Sequence, residues 1–334
     1  MNQPDENVGR PKAVAITGPT ACGKTAFAVR LARAFNGEIV SADSRQVYKG
    51  LDIGSGKDLA EYSAGGEPVP YHLIDVVEPG GEFNLSGYLK LASSALHGIA
   101  RRGRLPLLAG GTPLYVDALL KGYKLPGGPS EAAFRDGLAA QDAGSIAEML
   151  KKAGEDSTLG DCGEASNRAR LMRRLELATD RHEGSGAPLK PFEADWLAIG
   201  IRFDRSEIHS RIERRLDSRL AEGMLDEVRL LHEAGTSWER LEWFGLEYRY
   251  VSMHLQGRMP FQEMRDSLLI KIRQFAKRQD SWFRKMEREG LQIHWFNPSS
   301  FEEASALLKS FLNGETLPPP GMRLSETFFG KSRH

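Results

Sequence analysis

One stretch near the N-terminus has residue types and spacing that could bind phosphate. Residues 18–25 read GPTACGKT and match the pattern G-x-x-x-x-G-K-[ST] of a phosphate-binding loop. In such a loop consecutive backbone N–H groups point at phosphate oxygens, while Lys24 would add a positive charge and Thr25 a hydroxyl for Mg²⁺. The pattern leaves open whether a nucleotide is hydrolysed, a phosphoryl group is moved or a diphosphate is expelled.

Two aspartates follow apolar stretches and could act beside that loop. Asp43 comes just after the apolar segment 38–41, where a parallel sheet places its ligands, and a carboxylate there could hold Mg²⁺ or accept a proton. Asp75 lies in the apolar run YHLIDVV at 71–77, which predicts a buried strand ending near a possible magnesium ligand. The structural alternatives are a helix cap for Asp43 and a packing role for Asp75.

Two basic segments have helical spacing. Residues 271–288 carry seven basic and two acidic residues, and their apolar positions fall on one face. Residues 167–176 read NRARLMRRLE and set three arginines on one side of a helix. Each segment is typical either of a solvated helix face or of a surface that follows a nucleic-acid backbone.

The elements around these residues predict an α/β fold with a parallel sheet and helices on both faces, because short apolar strands alternate with helical patterns. The strand-poor, helix-like stretch after residue 129 predicts an inserted all-helical domain. We therefore expect a flexible N-terminus at 1–12, a first core part at 13–129, the insertion at 130–190, a second core part at 191–313 and a loose tail at 314–334.

Composition excludes several classes of protein. The chain has 334 residues, of which 45 are basic and 45 acidic, so any nucleic-acid surface must come from local clustering. Two cysteines are too few for a disulfide framework, and the eight histidines show no zinc-ligand spacing. No apolar run approaches the roughly 18 residues that span a membrane, and the first residues lack a signal peptide's apolar stretch. A cytoplasmic enzyme is the expectation.

Taken together, several segments resemble the tRNA dimethylallyltransferases, and they occur in that family's order. They are GPTACGKT at 18–25, SADSRQVYKGLDIGSGK at 41–57, YHLID at 71–75, GGTPLY at 110–115, RARLMRRLE at 168–176, GMLDEV at 223–228 and QFAKRQDSWFR at 274–284. The lack of a zinc-finger extension after the last segment favours the bacterial type.

The resemblance implies transfer of a dimethylallyl group from dimethylallyl diphosphate to N6 of the adenosine 3′-adjacent to the anticodon of a tRNA. Its implied partners are the tRNA anticodon stem-loop and dimethylallyl diphosphate, with Mg²⁺ as cofactor and no membrane or obligate protein partner. The basic helices and the insertion would embrace the stem-loop. The adenosine would be swung out of its stack to reach the diphosphate.

The resemblance also implies residue roles. Asp43 would accept the proton of N6, while Lys24 and Thr20 would assist departure of the diphosphate. The diphosphate-binding loop would comprise Gly18, Pro19, Thr20, Ala21, Cys22, Gly23, Lys24 and Thr25, with Thr25 also on the metal. The tRNA-binding residues would be Asp43, Ser44, Arg45, Gln46, Thr112, Arg170, Arg173, Lys277, Arg278, Gln279 and Arg284.

Three departures from the family pattern bear on tRNA preference rather than on the reaction. They are Ser166-Asn167, Gly245-Leu246-Glu247 and Asp280-Ser281.

Three other functions remain open at this point. A metabolite kinase would hold Mg·ATP through Asp75 or Asp43. An adenylate isopentenyltransferase would use free nucleotide and need no RNA clamp. An RNA-binding P-loop protein without catalysis would leave Asp43 without a role.

Overall fold

A computed structural model describes residues 9–123, 132–138, 140–154, 164–179 and 191–326. The strands are β1 (Lys12–Thr17), β2 (Gly37–Ser41), β3 (Tyr71–His72), β4 (Leu105–Gly110), β5 (Asp195–Ile201) and β6 (Ile293–Phe296). The helices are α1 (Lys24–Ala34), α2 (Ala60–Ser63), α3 (Leu85–Arg101), α4 (Pro113–Leu120), α5 (Ala132–Leu138), α6 (Ala143–Lys152), α7 (Glu164–Ala178), α8 (Arg205–Ala221), α9 (Met224–Glu233), α10 (Trp238–Trp243), α11 (Leu246–Leu255), α12 (Phe261–Arg288) and α13 (Phe301–Asn313).

The strands form one sheet in the order β3-β2-β4-β1-β5-β6, and every neighbouring pair is parallel. Strand β1 is central, since Val14 lies opposite Leu107 of β4 and Leu197 of β5. Residues 13–17 are buried, as expected of a strand covered on both faces by helices. The predicted α/β class is confirmed. The carboxyl ends of β1, β2 and β4 adjoin, which brings together the loops that follow them.

The chain divides into two compact units, Met1–Tyr123 with Pro191–His334 and Lys124–Lys190. The second unit contains α5, α6 and α7, whose apolar core consists of Leu138, Ile146, Leu150, Leu171 and Leu175. Within it Arg168 donates hydrogen bonds to the carbonyls of Gln141 and Leu138. This unit interrupts the sheet-containing unit, as an inserted helical domain does.

The strand predicted at 71–77 is wrong beyond its first two residues. Leu73 and Asp75 have φ values of 63° and 57°, a left-handed conformation that a strand cannot contain. The chain turns here because the N–H of Asp75 donates to the carbonyl of Gln46 at 3.1 Å, and that of Val76 to Val47 at 2.8 Å. Residues 75–76 therefore support the segment that follows Asp43.

The tail predicted to be loose is packed on α12 over part of its length. Leu324 is fully buried, and its carbonyl accepts a hydrogen bond from Nε of Arg284 at 3.1 Å. The N–H of Ser325 donates to Glu287 at 2.6 Å. A buried leucine flanked by two hydrogen bonds explains why the tail is ordered here. Among the described residues, no helix has the length and apolar character needed to cross a membrane.

Candidate active site

The phosphate-binding loop connects β1 to α1, as its sequence predicts. Gly18 must lack a side chain because a Cβ there would lie 2.4 Å from the carbonyl oxygen of Ile201. Gly23 has φ 80°, which glycine adopts without strain, and it places Lys24 at the first turn of α1. The N–H groups at the start of α1 have no partners within the helix, so this end attracts an anion.

A glutamine from α12 fixes the loop. Gln279 is 3% exposed, and its amide accepts the N–H of Thr20 at 2.8 Å and donates to the carbonyl of Gly111 at 2.6 Å. A Cβ on Gly111 would lie 3.1 Å from Nζ of Lys24, so glycine leaves room for the lysine. Gln279 thus joins the loops after β1 and β4, whereas its expected RNA contact stays a prediction.

Asp43 follows β2 and faces the same region. Its Oδ1 accepts N–H bonds from Arg45 at 2.9 Å and Gln46 at 3.4 Å. The neighbouring Ser44 donates its N–H to Oγ of Thr112 at 3.0 Å, which pins the segment to the start of α4. No helix begins at these described residues, so Asp43 closes a turn rather than capping a helix, and the two bonds hold its carboxylate at a fixed position.

One cavity of about 600 Å³ joins these loops. The predicted site residues that line it are Thr20, Ala21, Gly23, Lys24, Thr25, Asp43, Ser44, Arg45, Gln46, Thr112 and Gln279. Gly18, Pro19 and Cys22 are buried and do not line it, so they shape the loop. Burial raises the pKa of the Cys22 thiol, which suits a packing residue.

Asp75 does not line the cavity. It forms an ion pair with Lys57, whose side chain is 1% exposed and which also contacts Asp52 at 2.5 Å. This carboxylate serves to neutralise a buried ammonium group. The structure therefore supports the packing role of Asp75 and not that of a magnesium ligand.

Sequence reasoning missed a row of arginines on α8. Arg211, Arg215 and Arg219 recur every fourth residue, so they share one helix face, and all three line the cavity. Nε of Arg211 donates to the carbonyl of Ala21 at 2.8 Å, which places this row against the phosphate-binding loop. The four-residue repeat is visible in the sequence, but nothing local indicates that it faces the phosphate-binding loop.

Acidic side chains balance part of that charge. The pKa of Glu61 is raised by burial and by the nearby Asp58, and the pKa of Glu247 is raised by burial. Arg219 lies 3.9 Å from Glu247, and Arg215 pairs with Asp58 at 2.5 Å. The cavity lining therefore combines a row of cationic side chains with nearby carboxylates.

Glu227, from the segment GMLDEV, anchors the loop that forms another wall. Its carboxylate accepts hydrogen bonds from three consecutive backbone N–H groups, those of Asp52 at 2.9 Å, Ile53 at 2.5 Å and Gly54 at 3.0 Å. It also accepts a hydrogen bond from the hydroxyl of Tyr248 at 2.7 Å. Further along this loop the carbonyl of Gly56 accepts Nε2 of Gln46 at 2.9 Å. The loop is thereby tied to the segment containing Asp43.

The remaining predicted RNA-binding residues lie outside the cavity lining. Lys277 and Arg278 are exposed on α12, whereas Arg284 is engaged with the tail. In the helical unit Arg173 pairs with Glu176 at 3.0 Å, and the side chain of Arg170 lies outside the described residues. Their contacts with RNA remain predictions.

The fold and cavity define a P-loop protein in which a phosphate-binding loop and a fixed carboxylate line the same cavity. The family model described as IPP transferase matches residues 46–286, and that described as isopentenyl transferase matches residues 11–67. The chain belongs to the IPP transferase family, which includes the tRNA dimethylallyltransferases.

Individual relatives agree with this membership. The chain is 44% identical to tRNA dimethylallyltransferase 1 of Syntrophus aciditrophicus, covering 90% of this chain and 98% of the relative. It is 41% identical to that of Hahella chejuensis, covering 89% and 96%. A full-length tRNA isopentenylpyrophosphate transferase structure from Bacillus halodurans has 30% identity and a TM-score of 0.66, covering 92% and 98%.

A structure of a eukaryotic dimethylallyltransferase acting on tRNA has 22% identity and a TM-score of 0.71, with 92% of this chain and 81% of that chain covered. At that identity it supports the fold alone.

Proposed function

We propose that this protein transfers the dimethylallyl group of dimethylallyl diphosphate to N6 of the adenosine 3′-adjacent to the anticodon of a tRNA, with release of diphosphate. The observation that carries the proposal is one cavity in which a phosphate-binding loop, an arginine row and Asp43 face each other. Family membership supplies the chemical class. We expect the protein to act in the cytoplasm, together with its tRNA substrate.

The phosphate-binding loop would hold the leaving group. As the bond between C1 and the diphosphate oxygen breaks, both electrons go to the diphosphate and positive charge develops on the allylic carbon. The start of α1, Lys24 and the cavity-lining arginines of α8 would stabilise the departing anion. Hydrogen bonds from Arg211 and Gln279 hold the loop in position, which would limit the reorganisation that accompanies the reaction.

Asp43 would accept the proton lost by the adenine. When N6 bonds to C1 the exocyclic nitrogen becomes cationic and must release one proton. Two backbone N–H groups hold Oδ1 of Asp43, which orients the carboxylate towards the cavity from a rigid turn. Ser44, Arg45 and Gln46 line the cavity beside it and would contact the swung-out nucleotide.

The cavity fits a Mg²⁺ ion that is bound mainly by its substrate. Thr25 offers a hydroxyl, and among the described residues no group of three or more His, Cys, Asp or Glu could hold a metal alone. Mg²⁺ commonly keeps several waters and binds substrate phosphates through one or two protein ligands. When bound, the ion would neutralise charge on the diphosphate.

The test is to incubate the protein with Mg²⁺, labelled dimethylallyl diphosphate and either tRNA or AMP. We expect label in tRNA and none in AMP. Prenylated AMP would instead identify an adenylate isopentenyltransferase, and no prenylated product would favour a kinase, to be checked with labelled ATP.

A further inference from the structure

Trp243 is an exposed indole at the end of α10. It is 46% exposed, and each of the other four tryptophans is less exposed. Single exposed apolar side chains are common on protein surfaces, so a role for this indole has to be argued from the groups around it. Neither the fold nor the transfer chemistry described above uses it.

Two arginines lie over this indole. The guanidinium carbon of Arg240 is 4.3 Å from the Trp243 ring centroid, and that of Arg45 is 4.9 Å away. Arg240 is itself held by hydrogen bonds to the carbonyls of Pro79, at 2.8 Å, and Gly81. Arg240 is therefore fixed next to the ring, and both cations lie within the range of cation–π attraction.

Neighbouring rings hold the indole in one orientation. Tyr48 contacts it edge-on, with centroids 6.2 Å apart and an interplanar angle of 88°, and Phe244 does so at 5.7 Å and 70°. Tyr48 is fully buried, so this support is rigid. Because these side chains are already ordered, stacking of a ligand here would cost little free energy for immobilising them.

The indole lies at the rim of the cavity. Arg45 and Phe244, which both contact Trp243, line the cavity, while Trp243 itself faces solvent. A single strand whose adenosine enters the cavity leaves the neighbouring nucleotides at its rim, where this indole offers an aromatic face. An aromatic face flanked by two guanidinium groups suits a nucleotide, which combines a π-faced base with an anionic phosphate.

We infer that Trp243, with Arg45 and Arg240, forms a stacking surface for the base of a nucleotide adjacent to the target adenosine. This inference rests on the proposed function, because it assumes that a single-stranded RNA loop enters the cavity. Its partner is an unpaired base, so the contribution should depend on the presence of that base and tolerate its identity.

The experiment compares wild type with Trp243→Ala, Trp243→Phe and Trp243→Leu on anticodon stem-loop RNAs. One RNA is intact, and two others carry an abasic nucleotide on either side of the target adenosine. We expect Trp243→Ala and Trp243→Leu to weaken binding of intact RNA roughly 5- to 100-fold, the range of base–aromatic stacking, and Trp243→Phe to retain most affinity. The KM for dimethylallyl diphosphate should not change.

On the abasic RNA that lacks the stacked base, wild type and Trp243→Ala should bind equally. Leu230→Ala, which removes an apolar side chain that is 62% exposed on α9, is the matched control and should bind like wild type. If the effects of the abasic nucleotide and of Trp243→Ala add independently, or if Phe and Leu are equivalent, the inference is overturned. Failure of wild type to prenylate the intact RNA would instead count against the proposed function.

Discussion

At the scale of single residues, Asp43 combines a structural task with a proposed chemical one. Its Oδ1 closes a turn by accepting two N–H bonds, and the same carboxylate lines the cavity. Aspartate is suited to both tasks because an amide of the same shape can close the turn but cannot take up a proton.

We therefore expect Asp43→Asn to lower the single-turnover rate of prenyl transfer by about 10²- to 10⁴-fold, the usual contribution of general base catalysis. tRNA affinity, measured by filter binding, should remain within about twofold because the turn persists. An unchanged rate would remove Asp43 from the mechanism, and a matching loss of tRNA affinity would give it a binding role instead.

Glu61 should make stability depend on pH. Burial and Asp58 raise its pKa above the ordinary value of 4.5, so the folded protein binds this proton more tightly than the unfolded chain. This contribution stabilises the fold below pH 4.5 and is lost as the pH rises through the raised pKa. As the pH rises from 4.5 to 8, wild type should lose this contribution and Glu61→Gln should not. The free energy of unfolding of Glu61→Gln, measured with urea, should therefore increase relative to that of wild type. A difference that is constant over this range would contradict this account.

At the scale of elements, α8 and α12 complete a site whose chemical groups begin on the sheet. Arg211 and Gln279 bond to the phosphate-binding loop from positions 190 and 259 residues away in sequence. The loop itself and Asp43 were predictable because their signals are local, a glycine pattern and a strand end. The contributions of α8 and α12 to the site were not predictable. Helical periodicity identifies which residues share a helix face, but it does not say which element that face packs against.

The same limit explains the error at residues 71–77. An apolar run of this length suits a buried strand, but Leu73 and Asp75 adopt left-handed conformations to meet backbone groups of residues 46–47. Such pairing between distant segments leaves no pattern in the run itself. For Asp75 the sequence likewise leaves a metal ligand and a packing role open, and only the ion pair with the buried Lys57 decides between them.

Arg211→Ala should weaken binding of dimethylallyl diphosphate while leaving tRNA affinity nearly unchanged. A hydrogen bond to a charged group contributes about 1.5–3 kcal/mol, so the KM for the diphosphate should rise roughly 10- to 100-fold. Arg229→Ala is the control, since Arg229 is an exposed arginine that pairs with Asp226 on α9. Equal KM values for the two variants would show that Arg211 does not act on the diphosphate.

At the scale of the whole molecule, equal numbers of acidic and basic residues conceal local surpluses of positive charge. Lys277 and Arg278 are exposed on α12, where they extend the charge of a helix that also fixes the phosphate-binding loop. A neutral protein can therefore bind an anionic polymer on one surface without attracting it everywhere.

tRNA affinity should consequently fall as salt rises, with a linear plot of log K against log salt concentration. Replacing both Lys277 and Arg278 by alanine should reduce the magnitude of that slope by roughly 1.5, at about 0.7–0.9 per phosphate contact. Lys309→Ala, at an exposed lysine on α13, should leave the slope unchanged. An affinity independent of salt would rule out phosphate contacts as the basis of binding.

The bond between Thr20 and Gln279 also has a consequence for biogenesis. Gln279, which accepts the hydrogen bond from the N–H of Thr20, is synthesised 259 residues after it. At bacterial or eukaryotic elongation rates this interval is roughly 13–50 s. Strand β1 likewise gains its second neighbour in the sheet only after β5 has been synthesised. The phosphate-binding loop is thus among the first segments to leave the ribosome and among the last to acquire its final shape, so an incomplete nascent chain lacks a finished site.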